Sequence, residues 1–292
     1  MIGVYDSGYG GLTVLRELQK ELPDSDFVFL GDSGRAPYGG RDAHAILDLA
    51  EQCVERLFEE GCRLVVVACH TVSCVGLRHL QQHYANDQRR ILGVTIPAAE
   101  AAVALHPRSV TWLGTTRTIH SRTYEVEIHK LDVALPVYGI AAPLLAPLVE
   151  EGLGNGTDPE GQALTRLAVR RYLHRLPADA DCLVLGCTHY PLLSEALRAE
   201  LPPHIRVLDP APVVARALSD WLRRHPEFQE SGSGQLRVLC SGDPEQFQRQ
   251  GSRFLGRELP AVQHITEEAG RLAHRSGPQA PSGQVVRGFR KI

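Results

Sequence analysis

Two stretches of the chain end alike. "RLVVVACHTV" (Arg63–Val72) and "DCLVLGCTHY" (Asp181–Tyr190) each carry an apolar run into a cysteine with a threonine and a histidine within two residues. A lone cysteine after a buried strand usually serves as a small hydrophobe. The repeated setting argues for more at Cys69 and Cys187. Each follows a small residue, Ala68 or Gly186, and precedes signals for the start of a helix. A free thiol has a pKa of about 8.5, which a helix N-terminus can lower. Activated thiols are therefore expected at both positions. Cys53, Cys62, Cys74, Cys182 and Cys240 lack that setting and read as structural. Two thiols on opposite walls of a cleft suit one task. One removes a proton from carbon while the other delivers a proton to the opposite face, and a stereocentre is inverted. A carbanion beside a carboxylate also needs fixed donors. Backbone N–H groups and hydroxyls of "DSG", "PYG" and the two cysteine turns offer them.

The helpers have plainer readings. Asp6 either caps the helix after it or assists a thiol. His189 is either a satisfied core histidine or an acid–base partner. Asp32 is open between a cap and a supporting residue. Tyr38 and Gly39 lie in a Pro-Tyr-Gly-Gly turn, where glycine permits close backbone approach to a ligand. Thiolate and imidazole also suit zinc. However, Cys69, His70, Cys187 and His189 come from separate segments without metal-finger spacing, so no metal is expected.

Positioning such groups requires strands that end together. Short apolar strands are expected at Ile2–Tyr5, Phe27–Leu30, Leu64–Ala68, Ile91–Val94, Val110–Leu113, Val137–Ile140, Cys182–Leu185, Arg206–Leu208 and Leu236–Leu239. Helical patterns lie between them, such as Gly11–Glu21, Ala43–Glu60, Leu192–Leu201 and Val213–Arg223. Continuous apolar strands alternating with helices predict an α/β fold with parallel sheets covered on both faces. Ligands of such sheets bind beyond the carboxyl ends of the strands. Here those ends are polar and glycine-rich, as in "DSGYGG", "GTTRT" and "CSGD". The two cysteine strands suggest two lobes of related architecture facing each other.

Composition narrows the function classes. The 292 residues are 43% hydrophobic with a formal net charge of −3, which argues against a basic nucleic-acid surface. Only three of the 31 basic residues are lysines, Lys20, Lys130 and Lys291, and none stands at a strand end. That leaves a pyridoxal-phosphate Schiff base without a placed lysine. Seven cysteines without a C-x-x-C pair do not read as a secreted disulfide framework. No signal peptide or membrane span is read, and a cytoplasmic protein is expected. The stretch from Ser276 on is rich in Gly, Pro and Ser and is expected to be a mobile tail.

The sequence resembles the glutamate racemase family, cofactor-independent enzymes that interconvert L- and D-glutamate. The stretches that carry the resemblance include "IGVYDSGYGGLTVLREL", "FLGDSGRAPYGGRD", "VVVACHTVS", "LGTTRTIHSRTYE", "LVLGCTHYPLL" and "CSGDPEQFQRQGSRFLG", which together span Ile2 to Gly256. The resemblance implies two pseudo-symmetric doubly wound α/β lobes with the site between them. The first would hold residues 1–95 and 208–265, the second residues 96–207. It implies that Cys69 serves D-glutamate with help from Asp6, and that Cys187 serves L-glutamate with help from His189. Asp6, Ser7, Tyr38, Gly39, His70, Thr71, Thr115, Thr116, Thr118, Thr188 and His189 would hold the substrate. Glu150 or Glu151 would assist the second thiol. The implied use is D-glutamate for bacterial peptidoglycan, with no cofactor, no membrane or nucleic-acid partner, and a homodimer.

One departure stands out. The family usually has asparagine where this chain has His70. The histidine is expected to bind substrate as asparagine would, to lower the Cys69 pKa by carrying charge near neutral pH, or to alter specificity or weaken activity. Related racemases or isomerases of other acidic substrates, aspartate among them, and a non-catalytic amino-acid-binding protein remain the alternatives.

Overall fold

The computed structural model describes residues 1–86, 88–153, 158–230, 232–268 and 271–274. The expected tail from Ser276 lies outside the described residues. Eleven strands are found among them. They are β1 (Ile2–Asp6), β2 (Phe27–Gly31), β3 (Leu64–Val67), β4 (Arg90–Gly93), β5 (Val110–Gly114), β6 (Val137–Ala141), β7 (Cys182–Gly186), β8 (Arg206–Leu208), β9 (Leu236–Cys240), β10 (Val262–Glu268) and β11 (Arg271–His274). They form two sheets, ordered β11-β10-β9-β2-β1-β3-β4 and β6-β5-β7-β8. Every pairing is parallel except that of β10 with β11.

The fold is α/β with two parallel sheets. All nine expected strands are present, with ends moved by no more than a residue or so. Their apolar runs allow burial on both faces: every residue of β1, β2, β3, β5 and β7 is buried. The edge strands β6 and β8 keep exposed residues. β10 and β11 escaped the sequence reading. Gln263, His264, Thr266, Glu267 and Glu268 make β10, which lies between β9 and β11, too polar for a search for apolar strands to find.

The order of strands reveals a correspondence that the sequence only suggested. The run β2-β1-β3-β4 in one sheet and β6-β5-β7-β8 in the other are the same arrangement. Each sheet begins at one strand, adds the next on one side, then reverses to the other side. Ligand crevices form outside the carboxyl ends at such reversals. Cys69 follows β3 and Cys187 follows β7, so both cysteines close the third strand of their own unit. The helices Leu12–Glu21 and Pro210–Arg224 pack on each other between the sheets and bury Leu12, Leu15, Leu18, Val214 and Leu218.

Candidate active site

Cys69 sits at the start of the short helix His70–Val75. Its sulfur lies 3.3 Å from the Ser7 hydroxyl, and the Val72 N–H, a free donor of the first turn, also faces it. The expected activation does not result. Burial above all, and then the charge of Asp6, push the Cys69 thiol up to about 12 against those donors. Only 5% of the residue is exposed, and desolvation of a thiolate outweighs the first turn of a helix.

Asp6 ends β1 and is fully buried. It is not a helix cap in the expected sense. Its carboxylate accepts the Gly8 N–H at 3.0 Å and the Thr188 hydroxyl at 3.3 Å. Burial raises its pKa, opposed chiefly by His189 and by the N–H groups of Gly8 and Gly11. The Thr188 bond crosses from the second sheet to the first. A second crossing runs from the Thr13 hydroxyl to the Thr188 carbonyl at 3.1 Å.

Cys187 is followed not by an α-helix but by the tight 3-10 turn Tyr190–Leu193; the α-helix proper is Ser194–Glu200. Pro191 in that turn has no N–H to give to a helical ladder. The Cys187 sulfur is 3.8 Å from His189 Nδ1, and His189 Nε2 is 2.9 Å from Glu150. Glu150, the last residue of the helix Leu145–Glu150, makes the contact, and not Glu151. Burial alone would lower the His189 pKa, yet Cys187 and Glu150 outweigh it and hold it at about 10. The ring also meets the edge of Phe254 at 5.1 Å, a partner the sequence reading did not name.

The threonines converge. Thr71 from the first unit lies 3.0 Å from Thr115 and 3.3 Å from Thr118, and those two are 3.0 Å apart. Thr115 also accepts the Thr118 N–H and so caps the helix Thr116–His120. Thr116 is half-buried and stands outside this trio. Gly39 packs against Thr115, with space for a Cβ only 2.8 Å from the Thr115 Cβ, and its carbonyl accepts the Arg117 N–H at 3.0 Å.

Two placements differ from expectation. The Tyr38 hydroxyl does not join the thiols. It donates to Asp32 and accepts from Tyr5 at 3.3 Å within the first unit. Asp32 in turn takes a two-pronged bond from Arg35 at 2.9 Å. Asp32 thus anchors the loop that carries Gly39 rather than capping a helix. His70 is the other. Burial pushes its pKa down to about 3, so it is neutral near pH 7, and it is not among the groups that move Cys69. Its Nδ1 bonds the Tyr124 hydroxyl. Among the described residues no cluster of three or more metal-ligating side chains is found.

The model of the Asp/Glu/Hydantoin racemase family matches residues 13–218. A glutamate racemase of Roseobacter denitrificans is 36% identical over 88% of this chain and 97% of its own length. The chain belongs to the Asp/Glu/Hydantoin racemase family. Among solved structures, a glutamate racemase of Bacillus anthracis superposes with a TM-score of 0.83 at 32% identity, over 93% of this chain and 98% of that one. One from Francisella tularensis, solved in complex with D-glutamate, gives a TM-score of 0.81 at 27% identity, over 91% and 97%. Both cysteines of this racemase-family chain fall within the matched span, whereas Asp6 and Ser7 precede it.

The Glu150–His189 pair carries a pH signature. The folded-state pKa of His189, about 10, exceeds its ordinary value of 6.5. The folded chain therefore binds that proton more tightly. The stabilisation is complete below pH 6.5 and fades as pH rises through about 10. In Glu150→Gln the His189 pKa should fall by about one pH unit, since one opposite charge is lost and Glu150 is partly exposed to solvent. Thermal unfolding from pH 6 to 10 should show the variant less stable at pH 7, with the gap narrowing toward pH 10. Parallel curves would contradict the assignment.

Proposed function

We propose that this chain interconverts L- and D-glutamate through Cys69 and Cys187, without a cofactor. The observation that carries the reading is the position of the two cysteines. They end the equivalent strands β3 and β7, and the Thr188–Asp6 hydrogen bond ties the two sides together. The activity is supported by the relatives, which are glutamate racemases.

The Cys69 thiolate takes the α-proton of D-glutamate, the C–H bond breaks, and the Cys187 thiol gives its proton to the opposite face. The chain is left as the mirror state, Cys69 protonated and Cys187 ionised, ready for the reverse direction. Burial and Asp6 disfavour the Cys69 thiolate. The substrate ammonium beside it supplies the opposite charge that offsets this. Asp6 is the buried base that holds the proton Cys69 must lose. On the other side His189, its pKa raised by Cys187 and Glu150, is the cation that faces the Cys187 thiolate left after that delivery. The hydroxyls of Ser7, Thr71, Thr115, Thr118 and Thr188 and nearby N–H groups supply fixed donors to the carboxylates, where charge grows in the transition state. Both thiols are shielded from solvent: Cys69 is 5% and Cys187 7% exposed.

The two lobes, residues 1–95 with 208–265 and residues 96–207, are the units we propose to part for substrate entry. The chain passes between them twice, and across their boundary they meet through hydrogen bonds such as Thr71–Thr115 and Asp6–Thr188. Among the described residues no helix is long and apolar enough to cross a membrane. A cytoplasmic setting is supported by seven buried cysteines, all free, and by a use of D-glutamate in peptidoglycan precursors. A homodimer would cover exposed apolar residues of the second unit such as Val126, Leu131 and Val133, and sedimentation equilibrium tests it.

The purified chain in heavy water with L-glutamate and no pyridoxal phosphate should yield D-glutamate deuterated at the α-carbon. Turnover of aspartate in place of glutamate would redirect the substrate assignment. Binding without exchange on either enantiomer would end the racemase reading.

A further inference from the structure

Beside Cys69, a hydrogen bond crosses the boundary between the two units and uses the residue that departs from the family pattern. His70 opens the helix after β3, and Tyr124 belongs to the helix Thr123–His129 after β5. His70 is 3% exposed and Tyr124 also 3%. The Tyr124 ring stacks on Trp112 of β5, with centroids 3.4 Å apart and planes 13° from parallel, so its hydroxyl is held by a rigid strand. Below it, the Thr123 hydroxyl donates to the Cys74 carbonyl at 2.7 Å, a second tie between the same two helices. His70 Nδ1 and the Tyr124 hydroxyl are hydrogen-bonded to each other, while Nε2 makes no hydrogen bond among the described residues.

We propose that Tyr124 is a positioning residue that holds His70 as the neutral tautomer with its proton on Nε2, so that this N–H serves the substrate as a carboxylate donor. The claim rests on the racemase reading for its substrate. Its tautomer part stands on the contact alone.

The chemistry follows from the two partners. A neutral imidazole has one donor and one acceptor nitrogen, and the bond made by one nitrogen decides which carries the proton. Burial keeps the ring neutral, its pKa pushed down to about 3. Burial also holds the Tyr124 phenol well above its usual range, so it keeps its proton to donate. With Tyr124 donating to Nδ1, the ring proton sits on Nε2 of the residue directly after Cys69, whose proposed substrate carries two carboxylates. An amide at this position offers a donor with no tautomer to choose. A histidine needs a partner to choose it, and the second unit provides one only when the lobes are together.

The test reads the tautomer and the turnover separately. Long-range proton–nitrogen spectra of the ligand-free chain at pH 7, with the His70 signals identified by their loss in His70→Asn, should show Nε2 protonated and Nδ1 bare. Tyr124→Phe should abolish that preference while leaving circular dichroism unchanged. With glutamate, Tyr124→Phe should raise KM about tenfold with kcat little altered, as loss of a donor to a charged group predicts. In the His70→Asn background the same change should leave KM within about twofold. A protonated Nδ1 or a cationic ring in the unaltered chain would overturn the proposal. So would an equal effect of Tyr124→Phe in both backgrounds, or none in either. An unaltered chain that leaves glutamate untouched sinks the activity reading, and the spectra still decide the His70–Tyr124 claim.

Discussion

Cys69→Ser and Cys187→Ser should each abolish racemisation yet leave different traces. Loss of a positioned acid or base lowers the rate about 10²- to 10⁴-fold, and a serine hydroxyl cannot take over as base near neutral pH. With Cys187→Ser, the Cys69 side can still remove the α-proton of D-glutamate and return a deuteron from heavy water to the same face. With Cys69→Ser, the same exchange survives only on L-glutamate. Mass detection on each enantiomer separately reads this out. The asymmetry follows from the site itself. Cys69 lies beside Ser7, with Asp6 raising it, whereas Cys187 lies beside the His189–Glu150 pair. If either single variant kept turnover in both directions, the two-thiol mechanism would be wrong. If exchange survived on the opposite enantiomer in each case, the mechanism would stand but the faces would be reversed.

Gly10→Ala should damage both stability and catalysis, although residue 10 does no chemistry. A Cβ there would overlap the Thr188 hydroxyl and stand 2.6 Å from His189 Nδ1. The first unit approaches the second so closely at this point that only hydrogen fits. Forcing extra volume into such a contact costs about 1–3 kcal/mol. The displaced groups are the ones that touch Asp6 and Cys187. A misplacement of about 1 Å can cost roughly 10²-fold in rate, so kcat should fall by about that factor. Gly40→Ala is the control, because nothing lies within 4 Å of its Cβ position. It should change stability by no more than about 0.5 kcal/mol. Equal behaviour of the two variants in thermal unfolding and turnover would show that Gly10 is not the close approach described here.

The histidine beside Cys69 shows how far residue type alone misleads. His70 reads as a group that titrates near neutral pH, because an unperturbed imidazole does. Inside the fold it is buried, bonded to Tyr124 and neutral. The same correction applies to Cys69. Its place at a helix start suggests activation, but the start is a six-residue helix in a desolvated site beside Asp6. Tyr38, read as a substrate ligand, spends its hydroxyl on Asp32 and supports the loop that brings Gly39 to Thr115. In each case the group was visible in the chain and its environment was not.

The chain by itself determined the elements and the chemical groups. Apolar β-branched runs are buried on two faces in β1, β2, β3, β5 and β7, so the central strands could be read directly, together with four further strands and the helices between them. The paired cysteines with their threonine and histidine neighbours could be read the same way, because they are local. What only the tertiary structure decided is everything that depends on residues far apart in sequence. It matched β3 to β7 through the order of strands in two separate sheets. It chose Glu150 over Glu151, joined Thr188 to Asp6 across 182 positions, and set His70 against Tyr124. Desolvation and charge depend on what packs around a group, and a pKa therefore belongs to the fold rather than to the residue.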